Sequence, residues 1–160
     1  MQSMSNASVY AIGDAAATPF QLATTADMEG EVAAKNIIHG NHVTPDYAGI
    51  PSAVFSLPPL VAVGMSEADA VKNHRTIRVN TGDMTGWPSS RRIGQTHATY
   101  KVIIDAQSDQ ILGAHILGHS SPETINIFAM AMKFHLTTGD LKKMLWAYPT
   151  YISDMKYMIG

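Results

Sequence analysis

The sequence predicts an α+β fold preceded by a strand-and-helix arm, and three observations carry that expectation. Short β-rich runs crowd into the middle of the chain and include one clear hairpin, 96–105 and 110–117, joined by Ala106-Gln107-Ser108-Asp109. Helical signals then come as a block, at 121–132 and 139–145. A separate strand and helix stand in front, at 9–12 and 20–39, ahead of a loop punctuated by Gly40, Pro45 and Gly49. The expected organisation is an arm over 1–40, a linker over 41–50 and one main domain over 51–160, and 160 residues suffice for a single core of ordinary size.

In the arm, Val9-Tyr10-Ala11-Ile12 is a short apolar run, Gly13 lets the backbone turn, and Asp14 sets a carboxylate at the strand end among small alanines. That arrangement suits a close-approaching polar ligand at the edge of a nucleotide-binding sheet. Only eight residues precede the strand, so the expectation is a truncated sheet whose other strands lie outside the chain. The helix at 20–39 takes Thr18 as its cap, Pro19 in its first turn and Gly40 as its stop. Leu22, Ala26, Gly30, Ala33 and Ile37 share one stripe, whose small members let the helix lie close to a sheet or a flat ligand.

From Pro51 onward the period changes. Residues 53–55 and 60–63 are short strands parted by Leu57-Pro58-Pro59, and Gly64 ends the second. Ser66-Glu67-Ala68-Asp69 forms a capping box for a short helix through Val71; 76–80 is a third strand, and 81–92, rich in Gly, Pro and Ser, is a loop. Beyond the hairpin, Ser121-Pro122-Glu123 opens a helix by cap, first-turn proline and first-turn acid, with Ile125, Phe128, Ala129 and Met132 on its inner face. Thr138 caps the next helix. The tail over 146–160 gathers Trp146, Tyr148, Tyr151 and Tyr157 around Pro149, a dense cluster for a chain only 8% aromatic.

Composition bounds the function classes. With 46% apolar and 15% charged residues and a formal net charge of -2, the chain lacks the basic footprint of a nucleic-acid binder. No apolar run reaches the roughly 18–20 residues that span a bilayer, and the first residues lack a signal peptide's basic and apolar regions, so a cytoplasmic protein without a membrane partner is the default expectation. The absence of cysteine excludes disulfide staples, thiolate metal sites and thiol redox chemistry carried by these residues themselves. Ten methionines point either to a Met-rich core or to an adaptable apolar surface covered by a partner.

The seven histidines do not form a metal-ligand pattern. His115 and His119 lie in an extended stretch, where a rise of about 3.3 Å per residue sets them roughly 13 Å apart. Gly118-His119-Ser120-Ser121 is no nucleophile elbow, and neither a dinucleotide fingerprint nor a Walker loop is present. Asp14 stands apart. It is either a turn carboxylate capping nearby amides or an acceptor for ligand hydroxyls, next to a helix whose first amides favour a partial negative charge.

At these residues the chain resembles the flavin-dependent pyridine nucleotide-disulfide oxidoreductases, the family of glutathione reductase, dihydrolipoamide dehydrogenase and mercuric reductase. The stretch 9–15 is similar to the end of that family's FAD-binding domain; 50–70 resembles its interface-domain signature, and 100–105 with 111–118 its later hairpin. The resemblance runs in the family's order over nearly the whole chain. It implies that residues from about 50 onward form an antiparallel β-sheet flanked by helices, a dimerisation domain that pairs with a second copy, and that 1–40 is a remnant of the FAD-binding domain. It further implies that Asp14 holds the ribityl chain of FAD, that Gln21, Leu22 and Ala23 offer main-chain groups to the flavin's pyrimidine edge, and that NAD(P)H is the co-substrate. The redox cysteine pair and the dinucleotide fingerprints would then lie upstream of Met1.

One departure bears on chemistry. Family members such as those three carry His-Pro near the C-terminus with a Glu a few residues on, and that His serves as acid-base in the partner's active site. Here Tyr148-Pro149-Thr150 stands at that place, Ser153 replaces the Glu, and Asp154 is one residue out of register. A phenol is a poor general base at neutral pH but donates a hydrogen bond to a thiolate or an oxyanion. Three readings stand. The chain is the C-terminal part of a homodimeric NAD(P)H-dependent flavoenzyme, with Tyr148 in the partner's active site and no activity of its own; or it is a dimerisation or interaction module with no catalytic role; or the full protein is a flavoenzyme without a redox disulfide.

Overall fold

The computed structural model describes residues 1–73 and 76–160, which divide into two compact units, Met1–Tyr47 and Ala48–Gly160.

The larger unit is built on a five-stranded, wholly antiparallel sheet, as the resemblance implied. Its strands are β1 (Pro51–Val54), β2 (Leu60–Gly64), β3 (Ile77–Asp83), β4 (Thr99–Asp105) and β5 (Ile111–Leu117), in the order β1-β2-β5-β4-β3. The β4–β5 hairpin lies at the centre, pairing Lys101 with His115 and Val102 with Ala114. Side chains alternate across the sheet, so Val61, Val63, Val102, Ile104, Ala114 and Ile116 share one face. Helix α4 (Ser121–Lys133) covers that face with Ile125, Phe128 and Ala131, and the buried Met155, Met158 and Ile159 complete the core. Met155 and Met158 belong to the terminal turn α6 (Met155–Met158).

On the opposite face Ile103 is fully buried, and α2 (Glu67–Asn73) is tied there by Lys101 Nζ to Glu67 at 2.6 Å. Crossing onto that face requires close backbone approach. Gly64 has φ +77°, and a Cβ on it would overlap the Leu112 carbonyl oxygen, so only glycine lets the Met65 N–H reach that carbonyl at 2.8 Å.

Three local expectations are corrected. The supposed loop over 81–92 continues β3 to Asp83, paired with Thr99, and then forms the short helix α3 (Pro88–Arg91) with Pro88 in its first turn. Pairing with β4 outweighs the loop-like composition. The cap of α5 (Thr138–Lys143) is Thr137 rather than Thr138: the Thr137 hydroxyl accepts the Asp140 N–H at 3.0 Å, and the Asp140 carboxylate accepts the Thr137 N–H at 3.1 Å. Thr138 instead donates to Asp109 in the hairpin turn at 2.6 Å. The tail aromatics do not form one cluster around Pro149: Tyr157 packs on Trp87, 5.5 Å between ring centroids, Tyr151 packs on His119 at 5.4 Å, and Tyr148 stays exposed.

In the smaller unit, residues 9–12 are not a strand. Tyr10 makes a single bridge with Gln2, flanked by hydrogen bonds from Ser3 N–H to Val9 O and from Ala11 N–H to Met1 O. No further strand lies beside them among the described residues, and an unaccompanied pair cannot extend into a sheet. The helix α1 (Ala23–His39) starts three residues later than expected, with extended Leu22 at its cap, and stops at Gly40 as expected. The Gln21 side chain donates to Thr18 O at 2.8 Å, closing a local turn where the helix was expected to begin. The anticipated stripe of α1 is met in part: Ala33 is buried and Leu22, Ala26 and Gly30 are half-buried, but Ile37 is 61% exposed, and the polar Thr25, Glu29 and Asn36 turn inward with Val32.

Candidate functional site

Asp14 sits in a one-turn 3-10 helix, Gly13–Ala15, and its side chain is exposed. The turn presses on α1. Gly13 takes φ +57°, and a Cβ there would stand 3.0 Å from the Ala26 Cβ, so the chain needs glycine at this point. Below the turn lies Glu29, 0% exposed. Its Oε2 accepts the Gly13 N–H at 2.7 Å and its Oε1 accepts the Tyr47 hydroxyl at 2.8 Å. Burial alone pushes the Glu29 carboxyl up, but the bonds from Gly13 and Tyr47, with the Thr18 hydroxyl, outweigh it and hold the carboxyl below its ordinary 4.5. Burial, and then the neighbouring carboxylate, raise Tyr47 above 10.

Gln21, Leu22 and Ala23 form the entry to α1. Leu22 has no side-chain cap, and the first intrahelical bond runs from Ala26 N–H to Leu22 O, so the amides of 23–25 precede the ladder. An exposed carboxylate in the turn and a helix start without a side-chain cap offer, respectively, an acceptor for ligand hydroxyls and donors for a ligand's acceptor atoms. Asp14 and residues 21–23 lie in one unit and Tyr148 in the other.

Tyr148 is 66% exposed, with the Lys156 ammonium 5.6 Å from its ring centroid. At that exposure the phenol is not packed inside the tail. Neither neighbour supplies a carboxylate to it. Ser153 is spent in a turn, its hydroxyl donating to Thr150 O at 2.6 Å and accepting the Thr150 N–H at 3.0 Å. Asp154 turns into the core, 4% exposed, where it accepts the Ser89 hydroxyl; burial raises its carboxyl above 3.8.

Among the described residues no three His, Cys, Asp or Glu side chains could hold a metal ion, and no helix is long and apolar enough to cross a membrane. His115 hydrogen-bonds Met65 O at 3.0 Å, and His119 packs 5.4 Å from Tyr151. His74 lies outside the described residues. Sequence reasoning missed Glu29 and Tyr47. The available signal was a carboxylate three residues after Ala26 and four before Ala33, on the side of the helix expected to be apolar.

Residues 50–159 match the family described as pyridine nucleotide-disulphide oxidoreductase, dimerisation domain. An uncharacterised 19.7 kDa protein in the mercuric resistance operon of Staphylococcus aureus is 42% identical over 160 residues, covering 99% of this chain and 89% of that protein. The chloroplastic/mitochondrial glutathione reductase of Pisum sativum is 34% identical over 94% of this chain, which spans only 27% of the pea enzyme. In structure, the chain is similar to the Cu(II) complex of the HOCl-induced flavoprotein disulfide reductase RclA from Escherichia coli: TM-score 0.82, 27% identity, 94% of this chain and 34% of that one.

Proposed function

Because the chain belongs to the pyridine nucleotide-disulfide oxidoreductases, by their dimerisation domain, we propose that it serves as the C-terminal dimerisation part of an FAD-dependent enzyme carrying electrons from NAD(P)H to a disulfide or another acceptor. The observation that carries this reading is the family match over 50–159, which follows along the chain from the Asp14 turn and the helix start without a side-chain cap. In it, Asp14 accepts hydrogen bonds from the ribityl hydroxyls of FAD, and the amides at Gln21, Leu22 and Ala23 face the pyrimidine edge, where the positive end of α1 favours the reduced, anionic ring. The flavin, when bound, supplies the two-electron chemistry. This chain's residues bind and orient it.

The dimer is the second element of the proposal. Val54, Phe55, Leu57, Leu145 and Tyr148 are large and exposed on the larger unit, and a second copy would cover such side chains. Tyr148 then reaches the partner's active site and donates a hydrogen bond to a thiolate or oxyanion there. In the complete enzyme Tyr148→Phe lowers turnover while leaving FAD binding and dimerisation intact; an unchanged rate with every acceptor tried reduces Tyr148 to a surface residue.

A second reading is favoured by the Staphylococcus aureus relative, a short protein spanned almost entirely by this chain: here the unit works as a homodimerisation or interaction module without catalysis. Purified chain mixed with FAD and NADPH, followed by flavin absorbance and by NADPH consumption, separates the possibilities. Bound flavin without turnover supports the first reading, no flavin supports the second, and robust NADPH oxidation by the chain alone overturns both. Sedimentation over a concentration series tests the dimer; a monomer at high micromolar concentration removes it from either reading.

A further inference from the structure

We propose that Glu29 is the positioning residue of the Asp14 turn, a buried carboxylate whose two oxygens lock the turn, α1 and the end of the following loop into one unit. The role in ligand binding rests on the reading of Asp14 as a cofactor contact, and the lock itself does not.

The geometry is specific. Glu29 Oε2 takes the amide of Gly13, the residue immediately before Asp14, at 2.7 Å, and Oε1 takes the hydroxyl of Tyr47 at 2.8 Å. A fully buried carboxylate is tolerated only when its oxygens are met by donors, and donors to an ionised acceptor make the stronger hydrogen bonds. Phe20 closes the arrangement, its ring 6.2 Å from that of Tyr47. Gly13 adopts φ +57° against Ala26, and its amide meets Glu29. Releasing that bond frees the backbone that sets the direction of the Asp14 side chain. The titratable groups acting on Glu29 are Tyr47 and the α-amino group of Met1, and the Thr18 hydroxyl also faces it.

The test is amide NMR on the whole chain, with Glu29→Gln, Glu29→Leu and Tyr47→Phe beside the parent, the amides of Val102 and Ile104 reporting that the sheet stays folded. Expected are at least tenfold faster hydrogen exchange at Gly13 in Glu29→Leu and a smaller acceleration in Glu29→Gln, which keeps one acceptor. Gly13 exchange equal to the parent's in both Glu29 variants overturns the lock. FAD is then added to each protein. A parent shift at Asp14 that weakens at least threefold in Glu29→Leu and is partly retained in Glu29→Gln establishes the positioning role, and equal responses in all of them overturn it. A parent with no FAD response fails the cofactor reading alone, and Gly13 exchange still decides the lock.

Discussion

Helix α1 turns Thr25, Glu29 and Asn36 inward beside Val32 and Ala33, whereas α4 turns Ile125, Phe128, Ala129 and Ala131 inward against the sheet. The difference is one of task. Helix α4 has a broad apolar face to cover and gains its stability by removing hydrocarbon from water, which is non-directional and rewards any well-filled pattern. Helix α1 has two irregular segments to hold, and irregular backbone is held by directional bonds: Glu29 takes the Gly13 amide, and Asn36 takes the amides of His42 and Val43 while donating to Val43 O. One helix is a lid on a core and the other is a frame for loops.

The strongest challenge to that contrast is made in the larger unit. Phe128 is fully buried under the sheet, and Phe128→Ala is expected to destabilise the unit by about 3–5 kcal/mol through lost burial and the cavity left behind. Residue-resolved hydrogen exchange under mild denaturant measures it: amides of β4 and β5 lose protection together, while those of α1 keep theirs. Coupled loss in both units would erase the distinction between them.

Next in size is Asn36→Leu in α1. The change adds apolar volume to a buried face, so a purely hydrophobic account expects a gain. The bonding account expects a loss of about 1–3 kcal/mol, because two amides and a carbonyl lose their partner. Exchange at His42 and Val43 decides between them, and slower exchange in the variant would refute the frame.

A smaller effect is expected at the start of α5. Thr137→Ala removes the capping hydroxyl and costs about 1 kcal/mol. It also changes the acid response. The Thr137 hydroxyl is the largest influence holding Asp140 at about 2, below its ordinary 3.8, and the Thr138 hydroxyl is the largest influence holding Asp109 down. Carboxyls lowered in the folded state contribute stability that is complete above 3.8 and lost as pH falls through their folded values. Between pH 4 and 2, then, the parent's stability falls more steeply than that of Thr137→Ala; parallel curves in a urea titration at each pH would show that the cap does not control Asp140.

These same features explain what was legible in the sequence. The central hairpin, the Ser121 start of α4 and the inward Ile125, Phe128 and Ala129 follow from alternation, capping and helical period, which are local signals for a face that is mainly apolar beyond the first turn of the helix. The continuation of β3 through Gly82 to Asp83 was hidden because pairing with β4 is a long-range fact that composition does not encode. Asp14 was visible as a carboxylate after a glycine, but its support was not. Glu29 and Tyr47 stand 18 positions apart, joined by one hydrogen bond across a loop, and no periodic pattern marks such a pair. Tyr148 stood out as a departure from a motif, and only the structure gives its exposure.

The smallest expected effect is the sharpest discriminator of the two helices. Ile37 completes the apolar stripe that the spacing of α1 proposes, with Leu22, Ala26, Gly30 and Ala33, yet it is 61% exposed near the end of the helix, while Asn36 beside it is buried. If the stripe were the packing face, Ile37→Ser would open a hole and cost several kcal/mol. With the polar face inward, the substitution touches a surface side chain and stays within about 0.5 kcal/mol, the range of ordinary surface changes. The matching replacement in α4, Ile125→Ser, removes a side chain that is 2% exposed and also buries an unpartnered hydroxyl, so the two isoleucines differ by more than tenfold in equilibrium terms despite identical chemistry. Exchange at Val32 and Ala33 in the first variant, and at Val102 and Ile104 in the second, reads the difference directly; a large loss from Ile37→Ser would return α1 to the apolar reading and leave Glu29 without its frame.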